Sequence, residues 1–280
     1  MPAVIVHLID GTYELFRHFY GLKRAKNDKP ARFGAVAGVL NTVLHMINDG
    51  ATHIGVATDH IIESFRNTIW DGYKTGEGIE PALLAQFIPL EEALRAMGVV
   101  VWAMTDLEAD DALASAAEIA SRDARVQKIC IWTPDKDLSQ CVQGDRIVQV
   151  DRRSGAVRDA VGVRLKFGVD PAFMADYLAL VGDASDGYPG IRGIGPRGAQ
   201  SLISRYGKIE DFPPETLGEQ RKAALLFKKL ATLQTDAPLY ANVDELQWRG
   251  LTAEFAAACE RLAIPDVYAR ARKTAPAAPA

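Results

Sequence analysis

The sequence predicts an α/β fold with a mainly parallel central sheet flanked by helices, followed by an all-helical C-terminal subdomain. Three observations carry this expectation. Short β-branched runs alternate with helical patterns as far as about residue 159, the signature of parallel strands joined by helices. Beyond that point only helical patterns remain. The 280 residues, 48% apolar and 24% charged, suffice for one large or two modest domains and exclude wholesale disorder.

In chain order, residues 3–9 (AVIVHLI) read as a buried strand closed by Asp10-Gly11 rather than as a signal peptide, because no basic region precedes the run. Leu15, Phe16 and Phe19 have helical spacing. Residues 21–32 break it as a solvated basic loop, with Lys23, Arg24, Lys26, Lys29 and Arg32 against Asp28. A helix over 35–48 and a strand over 53–58 ending at Asp59 follow. Gly72, Gly76 and Gly78 argue against a stable helix in 61–80, which reads as a mobile loop or short arch. Residues 81–96 read as a helix with Pro81 in its first turn, 99–104 as a strand, and 108–121 as an alanine-rich helix. A strand at 128–132 is closed by Thr133-Pro134-Asp135, and 146–150 with the turn at Arg153-Ser154-Gly155 reads as a hairpin. Helices are expected over 159–166, 171–181, 197–206, 219–234 and 251–272, then a disordered APAAPA tail. There is no internal repeat and no run of apolar residues long enough to cross a membrane. Cys130, Cys141 and Cys259 are too few for a disulfide framework and fit a reducing cytoplasm.

Acids fall at the carboxyl ends of successive strands: Asp10, Asp59, and then Asp135 and Asp137. In a parallel sheet that edge is where ligands bind. Glu108, Asp110 and Asp111 open a helix, and Asp183 and Asp186 come three apart in the helical region. Singly, each has a plain explanation as a helix cap, turn or solvated charge. Together they are nine carboxylates that one strand edge could gather, and such a cluster repels itself unless cations are present. Hard divalent ions such as Mg²⁺ or Mn²⁺ prefer oxygen ligands, and carboxylate-rich two-metal sites serve phosphodiester chemistry. His7, His18, His45, His53 and His60 lack metal-ligand spacing. Without the nine acids, 27 remain against 32 Lys and Arg, so the net charge of −4 is compatible with a nucleic-acid partner.

Residues 189–199 (PGIRGIGPRGA) make a tight turn before a helix start, where backbone N–H groups suit a phosphate oxygen. Arg192, Arg197, Arg205 and Lys208 surround it, and no acid lies between Gly187 and Ile209. The plain alternative is an ordinary helix–turn–helix corner. Nothing there reads base edges, so binding would follow the backbone and shape of a duplex.

These residues together resemble the 5′-nuclease family: flap endonucleases and the 5′→3′ exonuclease domain of bacterial DNA polymerase I. The matching strings are LIDGTYELFRHFY, SFRNTIWDGYK, LEADDALAS, TPDKDLSQCV, KFGVDPAFMADYLALVGDASDGYPGIRGIGPRGA and SRYGKIEDF, in the family's order over about residues 4–212. The resemblance implies a PIN-like catalytic domain over 1–167 and a helical DNA-binding subdomain over 168–280, with a helix–hairpin–helix at about 187–208. It implies metal ligation by Asp10, Asp59, Glu108, Asp110, Asp111, Asp135, Asp137, Asp183 and Asp186, with two or more ions. It implies duplex binding by Arg192, Gly193, Gly195, Arg197, Gly198, Arg205 and Lys208, with a K⁺ between backbone carbonyls and a phosphate. Arg66 and Lys74 match the basic residues that steer the scissile phosphate. For Tyr13 and Tyr73, stacking on a terminal base and core packing both remain open. The implied activity is metal-dependent 5′→3′ exonuclease or flap endonuclease action on DNA with 5′ flaps, nicks or recessed ends, in replication and repair. The implied protein is a cytoplasmic, nucleoid-associated monomer that acts without a polymerase domain. Two positions depart from the pattern: Glu77 stands where relatives carry a second basic residue, and Thr133-Pro134 precedes Asp135 where they carry glycine.

Three rival readings share part of this pattern. A haloacid-dehalogenase-type phosphatase needs an aspartate two residues before Asp10, and Leu8 stands there. A PIN-like ribonuclease shares the carboxylate logic but usually lacks the helical hairpin. A non-catalytic flap-binding module would be marked by lost metal ligands.

Overall fold

The β-branched runs pair into one sheet. The computed structural model describes residues 4–24 and 32–274. The first half contains β1 (Val4–Asp10), α1 (Gly11–Arg24), α2 (Gly34–Asn48), β2 (His53–Asp59), α3 (Pro81–Leu84), α4 (Phe87–Ala96), β3 (Val100–Met104) and α5 (Ala109–Ser121). The second contains β4 (Val126–Trp132), β5 (Ile147–Asp151), β6 (Ala156–Arg158), α6 (Ala160–Phe167), α7 (Met174–Val181), α8 (Pro196–Tyr206), α9 (Pro214–Leu217), α10 (Arg221–Ala231), α11 (Phe255–Arg261) and α12 (Pro265–Thr274).

The strand order is β3-β2-β1-β4-β5-β6, parallel throughout except for the antiparallel β5–β6 hairpin. Ile9 lies beside both Val56 and Trp132, so β1, β2 and β4 end at one edge, with Asp10 and Asp59 on it. Each sheet face carries an apolar layer. Leu40, Val43, Leu90 and Leu94 of α2 and α4 cover one face, and Ala112, Leu113 and Ala116 of α5 cover the other. Helices α6 to α10 enclose a separate core around Leu178, Leu180, Ile203 and Phe227. None of the described helices is long and apolar enough to cross a membrane. All three cysteines are free.

Several expectations are corrected. Helix α1 runs through Gly21 to Arg24, so the break comes later than expected. Most of the expected basic loop, and the whole APAAPA tail, lie outside the described residues. The helix expected over 81–96 is two helices. Pro89 has no N–H for an i→i−4 bond, so the pattern restarts and leaves it in the first turn of α4. Buried Gln86 sits at that restart and its Oε1 accepts from the Val36 N–H, at 3.3 Å, at the start of α2. The last expected helix likewise divides at Pro265, after Ala263 with φ 52°.

The expected second domain does not extend to the C-terminus. Phe255, Cys259, Val267 and Ala271 of α11 and α12 are buried in the N-terminal core with α2 and α4. Leu233, Val243 and Leu246 join the α5 layer. The chain after α10 thus returns to the first domain, drawn by apolar area that α2 and α4 leave uncovered. Phe255→Ala should cost about 3–5 kcal/mol, as expected for a large cavity in the main core. Urea unfolding followed by both far-ultraviolet and tryptophan signals should show one shifted transition. An unshifted midpoint would mean that α11 does not complete this core.

Candidate active site

The sheet edge gathers the acids into two adjoining groups. Asp10, Asp59, Glu108, Asp110 and Asp135 line a cavity of about 400 Å³, together with Lys74. Beside it, Asp137, Asp183 and Asp186 can each bring an oxygen within 4.8 Å of the others. The groups join at the strand end, where the Asp137 N–H donates to Asp135 Oδ1 at 3.1 Å.

Local structure places each carboxylate. Asp10 Oδ1 accepts from the Tyr13 N–H at 2.8 Å at the start of α1, and Oδ2 accepts from the Thr133 hydroxyl at 2.9 Å. Thr133, at the carboxyl end of β4, therefore orients Asp10. Asp59 Oδ1 accepts from the Ala109 N–H at 2.8 Å, and the Thr12 hydroxyl accepts from the Asp59 N–H at 2.9 Å. Asp183 is held by Lys136, at the opposite carboxylate oxygen from the one that takes the Ser185 hydroxyl. Asp186 Oδ1 lies 3.1 Å from Lys74 Nζ, whose other partner is Glu108 Oε2 at 2.6 Å. The backbone repeats the link, since the Lys74 N–H donates to the Asp186 carbonyl at 3.0 Å.

Three predicted site residues stand elsewhere. Asp111 is fully buried and does not face the cavity. Both its oxygens are engaged, by Arg66 and by the N–H groups of Glu108 and Gln234. Arg66 is 1% exposed, and all five of its N–H groups have protein acceptors: Asp111, Glu108, and the Leu230 and Thr232 carbonyls. It has no donor left for a scissile phosphate and instead positions Glu108. Tyr73 is buried, with its hydroxyl 3.4 Å from Glu108 Oε2, so packing and not stacking describes it. Tyr13 does line the cavity, beside Phe16.

The expected arch over 61–80 is in part tethered. Phe65–Thr68 form a 3₁₀ turn capped by Ser64, whose hydroxyl donates to Glu108 at 2.7 Å. Trp70 Nε1 donates to the Gly187 carbonyl at 3.2 Å. Glu77 faces solvent. In the turn before α8, Arg192, Gly193 and Gly195 are exposed, as are Arg197 and Gly198 in the first turn of α8, Arg205 near its end and Lys208 beyond it. Gln220 holds the tip by accepting from the Arg192 N–H at 3.0 Å. Gln220, Thr133 and Lys136 are contributors that no motif announced. Thr133 and Lys136 lie inside the TPDKDLSQCV string, but nothing in their spacing marked them as partners of Asp10 and Asp183, and Gln220 comes from a separate element.

Electrostatics follow from crowding. Burial, then the charges of Asp59 and Asp135, push the Asp10 carboxyl up to about 7. Burial also raises Asp59, Asp110, Asp137 and Asp186. Burial pushes Glu108 and Asp183 the same way, but Lys74 with Arg66, and Lys136, outweigh it and hold both below the usual carboxylate range. Asp137 Oδ1 is buried without any hydrogen-bond partner. A buried, partnerless carboxylate oxygen among like charges is costly, and an oxygen-seeking cation removes that cost.

Residues 5–168 match the family model described as 5′-3′ exonuclease, N-terminal resolvase-like domain, and 169–254 match 5′-3′ exonuclease, C-terminal SAM fold. The chain belongs to the 5′-3′ exonuclease family. The 5′-3′ exonuclease of Aquifex aeolicus is 30% identical over 251 residues, covering 86% of each chain. DNA polymerase I of Pseudomonas aeruginosa is 33% identical over 259 residues, which are 85% of this chain but 28% of the polymerase. The chain thus spans under a third of that relative's length. In fold it is similar to T5 5′-exonuclease with bound zinc ions, with TM-score 0.66, 17% identity, and 95% of this chain and 99% of that one covered. It is also similar to the catalytic core of Rad2 in complex with a DNA substrate, with TM-score 0.53, 14% identity, and 97% and 92% covered.

Two predictions concern this exonuclease-family site. Arg66→Leu leaves Asp111 and Glu108 buried without their cation and should cost about 3–5 kcal/mol in denaturant unfolding. A loss under about 1 kcal/mol would mean that water reaches the pair. The second concerns pH. Asp10 binds its proton more tightly folded than unfolded, where its pKa is about 3.9. The resulting stability is fully present below that value and is lost as pH rises through about 7. In a chelator, the melting temperature should fall between about pH 5 and pH 8, and Mg²⁺ at pH 8 should restore it. A flat profile in the chelator would show that the acids do not strain the fold.

Proposed function

We propose that the chain is a structure-specific 5′ nuclease that hydrolyses DNA phosphodiesters near 5′ ends or flaps, using Mg²⁺ or Mn²⁺. The observation that carries this is the pair of adjoining carboxylate groups with the partnerless Asp137 oxygen between their charges. Asp10, Asp59, Glu108, Asp110 and Asp135 would hold ions on the cavity side, and Asp137, Asp183 and Asp186 on the other. Such ions supply a water of lowered pKa and steady the charge on the leaving oxygen.

The chain's own groups do the positioning. Thr133 and the α1 N-terminus aim Asp10, and the Arg66 clasp aims Glu108. Lys74 Nζ lines the cavity between the two groups and is the cation placed to meet the scissile phosphate. Tyr13 and Phe16 offer an apolar wall against which a base can rest.

The turn before α8 suits the backbone of a duplex. Open space surrounds the position where Gly195 would carry a Cβ, and its φ of −92° is ordinary, so the fold itself does not require glycine there. A Cβ at Gly198 would meet only Ile194, at 3.5 Å. What the missing side chains leave is room for close approach from outside, between Arg192, Arg197, Arg205 and Lys208. A K⁺ between carbonyls of this turn and a phosphate belongs to the same reading.

With labelled flap DNA, blunt duplex and hairpin RNA, cleavage should occur on the flap substrate with Mg²⁺ and vanish in a chelator. Undiminished cutting in the chelator would sink the metal mechanism, and preference for the RNA would favour a ribonuclease. Asp135→Asn should abolish cleavage while DNA binding stays intact or tightens, because a negative charge near phosphate is removed. Arg197→Ala should weaken binding to all sequences and flatten the salt dependence by about 0.9 in slope. Normal binding by Arg197→Ala at moderate salt would show that this turn does not hold the duplex.

A further inference from the structure

We propose that Arg158 and Lys166 hold a second backbone phosphate of the strand being cut, so that this strand crosses the carboxyl edge of the sheet from the β2 side towards β6. The inference rests on the nuclease reading above. A cavity of about 370 Å³ is lined by Thr133, Gln149, Asp151, Arg158 and Lys166, and by Val157 and Leu165. It adjoins the carboxylates. Thr133 bonds Asp10, and the Gln149 amide donates to the Asp135 carbonyl at 2.5 Å. The sheet order sets β5 and β6 beyond β4, opposite β1 and β2.

Charge distinguishes this cavity. The other cations around the acids are matched: Lys74 by Glu108 and Asp186, Lys136 by Asp183, and Arg66 by Asp111 and Glu108. The carboxylate in the cavity lining, Asp151, is engaged by the Arg153 N–H at 2.9 Å and the Ser154 hydroxyl at 2.7 Å, and among the described residues it makes no ion pair with Arg158 or Lys166. Arg158 Nη1 donates to neutral Gln149 Oε1 at 3.0 Å, which leaves the rest of its planar fork for a ligand. Both cations lie over the Phe167 ring, at 5.9 and 5.0 Å from its centroid. Burial, and for Lys166 also the Arg158 charge, lowers the pKa of each, and the charge of Asp151 offsets this only in part. A Cβ at Gly162 would press on the Arg158 stem at 3.0 Å, so glycine there leaves that side chain its seat.

The remaining walls select the ligand. Val157 is 59% and Leu165 83% exposed, which sets an apolar surface beside the two cations. A small inorganic anion leaves them in water. A nucleotide unit sets its phosphate on the cations and its sugar and base against Val157 and Leu165. The wall shared through Thr133 makes the occupant a neighbour of the phosphate at Asp10 and Asp135, on the same strand.

The test measures binding of fluorescein-labelled 5′-flap DNA by anisotropy, in a chelator, over a range of salt. Lys166→Gln and Arg158→Gln should each weaken binding roughly 5- to 10-fold and reduce the salt slope by about 0.7–0.9, and Lys166→Arg should restore both. Thermal melts matching the wild type exclude a folding defect as the cause. A series of substrates, each with one backbone phosphate replaced by an uncharged methylphosphonate, then locates the contact. At one position of the cut strand, the replacement should weaken wild-type binding as much as Lys166→Gln does, and should weaken that variant no further. Wild-type affinity and slope in both variants, or coupling confined to the complementary strand, would overturn the subsite while leaving the nuclease reading intact. A wild-type protein that neither binds nor cuts DNA would overturn both.

Discussion

The arrangement of the site depends on the Arg66 guanidinium. One planar group joins the 3₁₀ turn at Phe65–Thr68, the start of α5 through Glu108 and Asp111, and the end of α10 through the Leu230 and Thr232 carbonyls. Placed in the interior, the charge is tolerable only because every N–H has an acceptor. The same completeness makes it directional: Glu108 cannot turn away from the cavity without leaving part of the fork unsatisfied. The turn, the helix start and the helical subdomain are therefore set in register by hydrogen-bond geometry.

The second constraint is close backbone approach. The loop with Asp183 and Asp186 reaches the sheet edge because Gly187, at φ 85°, lies against the Gly72 carbonyl, where any Cβ would collide. Gly182 and Gly190, also at positive φ, pack backbone to backbone in the same loop. Glycine here serves proximity: it lets an all-helical region deliver two carboxylates to acids rooted in the strands. The result is a crowd of like charges, partly matched by Lys74, Arg66 and Lys136 and otherwise without an ion-pair partner among the described residues. Such a crowd of buried carboxylates favours cations.

Much of this was legible in the sequence. Short β-branched runs and period-3.6 patterns identified the strand regions and most helices, and the acids at successive strand ends located the edge where they meet. The glycine-rich turn with one-sided positive charge marked the second surface. The misplaced elements share one cause. Helix periodicity does not show where a proline lacking its N–H must restart a helix, as at Pro89, or where an apolar stripe finds its partner, as α11 and α12 do on the N-terminal core.

The sequence by itself determined the fold class, the carboxylate inventory and the candidate surfaces, because spacing along the chain dictates which residues share a strand end or a helix face. Only the tertiary structure decided which charges are spent inside the protein. Asp111 and Arg66 stand in the same short motifs as residues that line the cavity, yet they satisfy one another in the interior. Arg158 and Lys166 are not set apart by any motif in the sequence, yet they line a cavity in which the neighbouring carboxylate, Asp151, is already taken by the Ser154 hydroxyl and the Arg153 N–H. Whether a charge is available to a ligand depends on what surrounds its side chain in three dimensions, and the neighbours that settle it here lie as far as 166 residues away along the chain.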